Sequence, residues 1–165
     1  LQRSLPPIDL VQWLSYIALD AGLRGGDNEI QVLLLHDAAE KELVGCLPSS
    51  LTELDGNACR DALGEFVFYA VNAAEMVDKE LLFTDLMTLA IDSANVKRLM
   101  LLPNHLQYAD KVEGALNKLA SDKGGESCKK AVYFSLQPTA QSLPCQADSV
   151  VFSLAQAFGI NPDEL

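Results

Sequence analysis

Glycine-rich phosphate loops, basic clusters, closely paired cysteines and long apolar runs are all missing from these 165 residues. Each absence removes a class of function. Twelve Lys and Arg face 23 Asp and Glu, a net charge of −11, and phosphate neutralisation dominates nucleic-acid binding, so no nucleic-acid partner is expected. Anionic membrane surfaces are disfavoured for the same reason. No apolar run approaches the roughly 20 residues that span a bilayer. The first residues run through Pro6 and Pro7 into Asp9 and lack the basic-then-apolar order of a secretory leader. Four cysteines, Cys46, Cys59, Cys128 and Cys145, stand far apart with no C-x-x-C pair, which argues against structural zinc. They read as buried or half-buried thiols of an intracellular, cytoplasmic protein.

The turn after the first apolar run reads His36-Asp37-Ala38-Ala39-Glu40-Lys41. Without glycine, backbone amides cannot approach a phosphate closely, and two carboxylates repel it. Neither G-x-G-x-x-G nor G-x-x-x-x-G-K-[ST] occurs, nor the G-x-S-x-G of a nucleophile elbow. No cofactor and no assembled catalytic set is therefore expected.

What is present is an ordinary globular composition, 49% hydrophobic and 21% charged, sized for one domain over residues 1–165. Leu1 in place of Met points to a segment of a larger protein. Ile8, Val11, Leu14, Ile17, Ala18 and Ala21 share a helical stripe and predict a helix over 8–21. Four short apolar runs predict strands near 30–35, 66–71, 99–102 and 131–136, each buried on both faces. Helices are expected from Ala73 to about Ala94, through Ala109, Val112, Leu116 and Leu119, and from about Gln146 to Phe158. Shorter helical pieces are expected before Pro48 and around Asn57–Leu63. This alternation predicts a Rossmann-like three-layer αβα domain whose small, mostly parallel sheet has about four to five strands.

In such folds ligands bind beyond the carboxyl ends of the strands. Those ends carry His36 and Asp37, Asn72, and Asn104 with His105, a candidate rim pocket. Helix capping accounts for much of the same pattern, since Glu40 follows Asp37 and Glu75 follows Asn72 at capping-box spacing. The two imidazoles with Asp37 would suit a divalent metal, but capping or exposed rings weigh more, and no metal is expected. Ser135 reads as an ordinary strand residue.

The helix after Ala73 places Asp78, Asp85 and Asp92 at seven-residue intervals. A solvated face explains them; an acidic strip meeting a basic partner is the functional alternative. Its apolar residues, among them Met76, Phe83 and Met87, exceed one stripe, and Trp13 on the first helix offers an anchor. The sequence thus points to a non-catalytic scaffold or protein-interaction domain of degenerate nucleotide-fold architecture. Its partner would be another protein or other domains of the same chain. The alternative is a small-molecule enzyme using the rim around His36, Asp37, Asn72, Asn104 and His105.

Overall fold

A computed structural model describes residues 4–73, 78–139 and 141–164. The chain is mixed α/β and divides into two compact units, Leu1–Met76 with Phe152–Leu165, and Val77–Val151. The strands fall into three small sheets, one of two strands and two of three, instead of the single sheet expected. Among the described residues, no helix is long and apolar enough to cross a membrane.

In the first unit, β1 (Ile8–Asp9) pairs in parallel with β3 (Cys46–Leu47). Ile8 therefore belongs to a strand and not to the helix predicted from it. Asp9 ends β1 and caps α1 (Leu10–Asp20), its carboxylate accepting from Gln12 N at 3.1 Å. Gly22, at φ 90°, reverses the chain after α1, and Leu23 N donates to the Ala18 carbonyl at 2.9 Å. The apolar runs at 30–35 and 66–71 lie within β2 (Asn28–His36) and β5 (Gly64–Asn72), which pair in parallel over their whole length.

Alternation along both strands sends Ile30, Val32 and Leu34, with Phe66 and Phe68, to one face, where Leu10, Trp13 and Leu14 of α1 join them. Burying side chains of this size stabilises the fold by about 1.5–3 kcal/mol each.

The connection between β2 and β5 departs from expectation. No helix forms before Pro48. Glu42 instead bridges to Ser50, β3 lies between them, and α2 (Leu51–Leu54) follows, with Ser50 capping Glu53 N at 3.3 Å. The piece around Asn57–Leu63 is an antiparallel hairpin strand, β4 (Ala58–Asp61), paired with β5. Beyond β4, the free edge of β5 is satisfied by the preceding loop. Gly56 N donates to Phe68 O at 2.8 Å, Phe68 N to Asn57 O at 2.9 Å, and Ala70 N to the Asp55 carboxylate at 2.9 Å.

In the second unit, α3 (Lys79–Asp92) begins later than the predicted Ala73, at the N-cap position Asp78. The strand β6 (Leu99–Leu101), α4 (Ala109–Lys123), a 3-10 helix (Gly125–Lys130), β7 (Ala131–Ser135) and β8 (Gln146–Ser149) follow. The start of the predicted last helix is thus an edge strand, and α5 (Val151–Ala157) begins only after it.

Central β7 pairs in parallel with both neighbours, and its Ala131, Val132, Tyr133 and Phe134 are all buried. Met87 and Ile91 of α3 pack with Val112 and Leu116 of α4 over Leu101, Ala131 and Tyr133. Two ion pairs align the helices, Lys111–Glu80 at 2.7 Å and Lys123–Asp92 at 2.6 Å. Both span 31 residues, so the helices run side by side in one direction. Lys130 closes the end of α3, donating to Ser93 O at 2.8 Å and Val96 O at 3.1 Å.

The tightest steric constraint lies at the start of the β2–β5 ladder. Gly64 has φ 140°, and a Cβ there would fall 2.0 Å from the Asn28 carbonyl oxygen. Backbone cannot yield as a flexible side chain can. Gly64→Ala is expected to destabilise the protein by at least about 2 kcal/mol, read as a lower midpoint in urea unfolding with an unchanged slope.

Candidate functional site

The rim residues occupy both units. His36, Asp37 and Asn72 lie in the first, Asn104 and His105 in the second. In the first unit the parallel register sets His36 directly beside Asn72, on one face of the sheet. Asp37 opens a tight turn. Glu40 N donates to Asp37 O at 3.1 Å, and the Glu40 carboxylate accepts from Asp37 N at 3.0 Å. This is the reach-back half of a capping box, closing a turn with no helix behind it. His36 Nδ1 lies 2.8 Å from the Asp37 carbonyl. A carbonyl only accepts, so Nδ1 is the donor in this contact. Asn72 ends β5 and is not the cap of α3, whose N-cap is Asp78; Glu75 lies outside the described residues.

In the second unit Asn104 shapes the approach to α4. Its side-chain oxygen accepts from Leu106 N at 3.0 Å and Gln107 N at 3.2 Å, while its carbonyl accepts from Tyr108 N at 3.1 Å. The half-buried His105 sits within this turn. Ser135 donates its hydroxyl hydrogen to the Gln137 carbonyl at 2.6 Å, an arrangement without a base to activate it. Among the described residues, no three His, Cys, Asp or Glu side chains gather as a metal-binding set.

The candidate interface residues separate in the same way. Met87 is buried, and Phe83 stacks against Tyr108 with ring centroids 5.7 Å apart, so both serve the core and not the surface. Trp13 also packs on a core, its indole nitrogen buried and without a partner among the described residues. Met76 lies outside the described residues. Asp78, Asp85 and Asp92 are exposed, but Asp92 is held by Lys123. The outward apolar residues of α3 are Leu81, 52% exposed, and Leu89, 66% exposed.

Buried polar groups escaped the sequence reading, Glu113 and Ser15 among them. Glu113 is 3% exposed, and its Oε1 has no hydrogen-bond partner among the described residues. It belongs to the buried set Ala109, Val112, Glu113 and Leu116, and the i, i+3, i+4, i+7 spacing of that set is the signal that could have found it. Beside it the Tyr133 hydroxyl lies 3.5 Å from the Ala109 carbonyl, and burial, then the Glu113 charge, push that phenol well above its ordinary range. Ser15 occupies the equivalent inward position on α1. It donates to the Asp61 carboxylate, whose other oxygen accepts from Leu63 N at 2.8 Å, and so ties the helix to the hairpin.

Three of the thiols are shifted away from ready ionisation. Burial raises Cys46; burial, then Asp61 and Asp9, raise Cys59. Cys145 is pushed up to about 11, by burial first and by Cys128 second. A nucleophilic cysteine needs the opposite shift.

Set against known proteins, residues 1–165 match the model of DUF6621, a family of unknown function. No curated protein and no solved structure matches the chain.

Two outcomes follow from the site. Asn104→Ala removes the acceptor for two amides and is expected to cost about 1 kcal/mol in urea unfolding. Alkaline stability has a defined sign. Cys145 and Tyr133 have raised folded-state values, so the unfolded chain ionises first and gains stability as pH rises. Tm is expected to fall from pH 9 towards 11, and Tyr133→Phe is expected to flatten that fall in scanning calorimetry.

Proposed function

The chain belongs to DUF6621, whose function is unknown, and from its own geometry we propose a non-catalytic scaffold or protein-interaction domain, intracellular and acting within a larger protein or complex. Its parallel pairings are compatible with a degenerate Rossmann-like architecture that no longer serves a nucleotide. The observation that carries the reading is the outer face of α3. Leu81, Asp85 and Leu89 follow one another at i, i+4 and i+8, and both leucines are more than half exposed. Apolar positions flanked by acidic ones fit a partner with an apolar centre and a basic rim, the charges setting orientation. The local hydrogen bonding at the strand ends supports the same reading. The Asn104 side chain engages its own turn, and the Ser135 hydroxyl is spent on a carbonyl.

The test combines ligand screening with a surface variant. Nucleotides, divalent metals and acyl carriers are expected to leave Tm unchanged. A true ligand at 100 times its Kd would add about 2.7 kcal/mol, and such a rise would refute the reading. The double variant Leu81→Glu, Leu89→Glu is expected to keep Tm within about 2 °C, because surface changes cost at most about 0.5 kcal/mol each. It is expected to lose the partners that co-purify with the unaltered chain. Retention of every partner by this variant would remove α3 from the interface.

A further inference from the structure

Two thiols that the proposed function leaves idle share one core. Cys128 is wholly buried in the 3-10 helix, and Cys145, half-buried, immediately precedes β8. Both belong to the cluster around Val112, Leu116 and Tyr133. The backbone brings them near each other. The Cys128 carbonyl accepts from Ala131 N, so Cys128 stands one turn before β7. Val132 registers with Gln146, which makes Ala131 and Cys145 the next positions along the same ladder, where strands lie about 4.8 Å apart. Ala131, Tyr133 and Cys145 all contribute to the cluster that holds Cys128. Cys46 and Cys59 also border one core, but their strands β3 and β4 belong to different sheets, so no ladder sets them side by side.

We propose that Cys128 and Cys145 are a redox pair that closes a reversible intramolecular disulfide in the presence of a low-molecular-weight disulfide such as oxidised glutathione. Cys145, the more accessible, is the entry thiol, and because burial pushes it up to about 11 the exchange is slow at neutral pH and quickens as pH rises. Its thiolate attacks one glutathione sulfur, the glutathione S–S bond breaks, and the departing thiolate takes up the proton that Cys145 gave up. The Cys128 thiolate then attacks the Cys145 sulfur of this mixed disulfide and expels the second glutathione as a thiol. Two protein thiols are oxidised and one glutathione disulfide is reduced to two thiols. The new bond would fasten the 3-10 turn to the start of edge strand β8.

Peptide mapping of the full chain decides the matter. The protein is incubated with oxidised glutathione, remaining thiols are alkylated, and trypsin cuts after Lys123, Lys129 and Lys130. The expected product is peptide 124–129 joined to peptide 131–165, separating on reduction. Cys145→Ser is expected to lose the joined product, and Cys128→Ala to keep glutathione on Cys145. Recovery of both thiols alkylated in the unaltered chain, or their linkage to Cys46, Cys59 or a second chain, would overturn the proposal.

Discussion

Backbone hydrogen bonding along two central strands governs the rest of the chain. β5 is bonded on one side by β2 and on the other by β4 and the loop before it, and β7 by β6 and β8. A strand paired on both sides has no backbone group left for water, so its sequence is free to be almost wholly apolar. Parallel neighbours cannot be joined by a tight turn, so each pairing demands a long crossover. The contact between Asn28 and Gly64 sets the first rung of the longer ladder. Asn28 reinforces it, its amide donating to the Arg24 carbonyl at 2.9 Å and the Leu63 carbonyl at 2.8 Å. A slip of one residue there would turn Phe66 and Phe68 away from α1.

Polar groups inside the two units fix geometry more than they add stability. The ion pairs between α3 and α4 are exposed, and each contributes between roughly 0 and 1 kcal/mol. Their shared offset nevertheless allows only one alignment of the helices. Ser15 with Asp61 does the same for α1 and the hairpin. Glu113 is different in kind, because an inward carboxylate with an unpartnered oxygen costs free energy that an apolar residue would not. That cost is borne by a core in which Val112, Leu116 and Tyr133 are otherwise fully buried.

Legibility of the sequence followed hydrophobicity. Runs such as Phe66-Val-Phe-Tyr-Ala-Val71 announce strands, and β2, β5, β6 and β7 stand where such runs occur. β7 is buried on both faces as expected, whereas Leu33 of β2 and Tyr69 of β5, 44% and 40% exposed, show that the longer ladder is covered on one face. The strands β4 and β8 read Ala-Cys-Arg-Asp and Gln-Ala-Asp-Ser, with largely exposed or half-exposed residues. An edge strand needs only backbone groups to pair, so composition carries little trace of it. Helix 73–94 was drawn too long because apolar residues continue back through Val77, while α3 itself begins after Asp78. At the strand ends the residue types were read correctly as polar, but types alone do not say whether a side chain serves a ligand or its own turn. Asn104, with its oxygen already shared by two amides, shows how fully a turn can use one.

Exposed leucines by themselves carry little meaning, since single apolar side chains are common on protein surfaces. Leu106, 93% exposed, and Val44, 97% exposed, sit in turns. Leu81 and Leu89 differ because a helix fixes their spacing and direction, and because α3 already buries Met87 and Ile91 on its opposite side. A helix lying on one core needs one apolar stripe. A second stripe gives α3 no folding advantage within its own unit and exposes apolar area to water. On the reading proposed above, the second stripe is a surface that becomes dry on association, and Asp85 between the leucines keeps the free chain in solution.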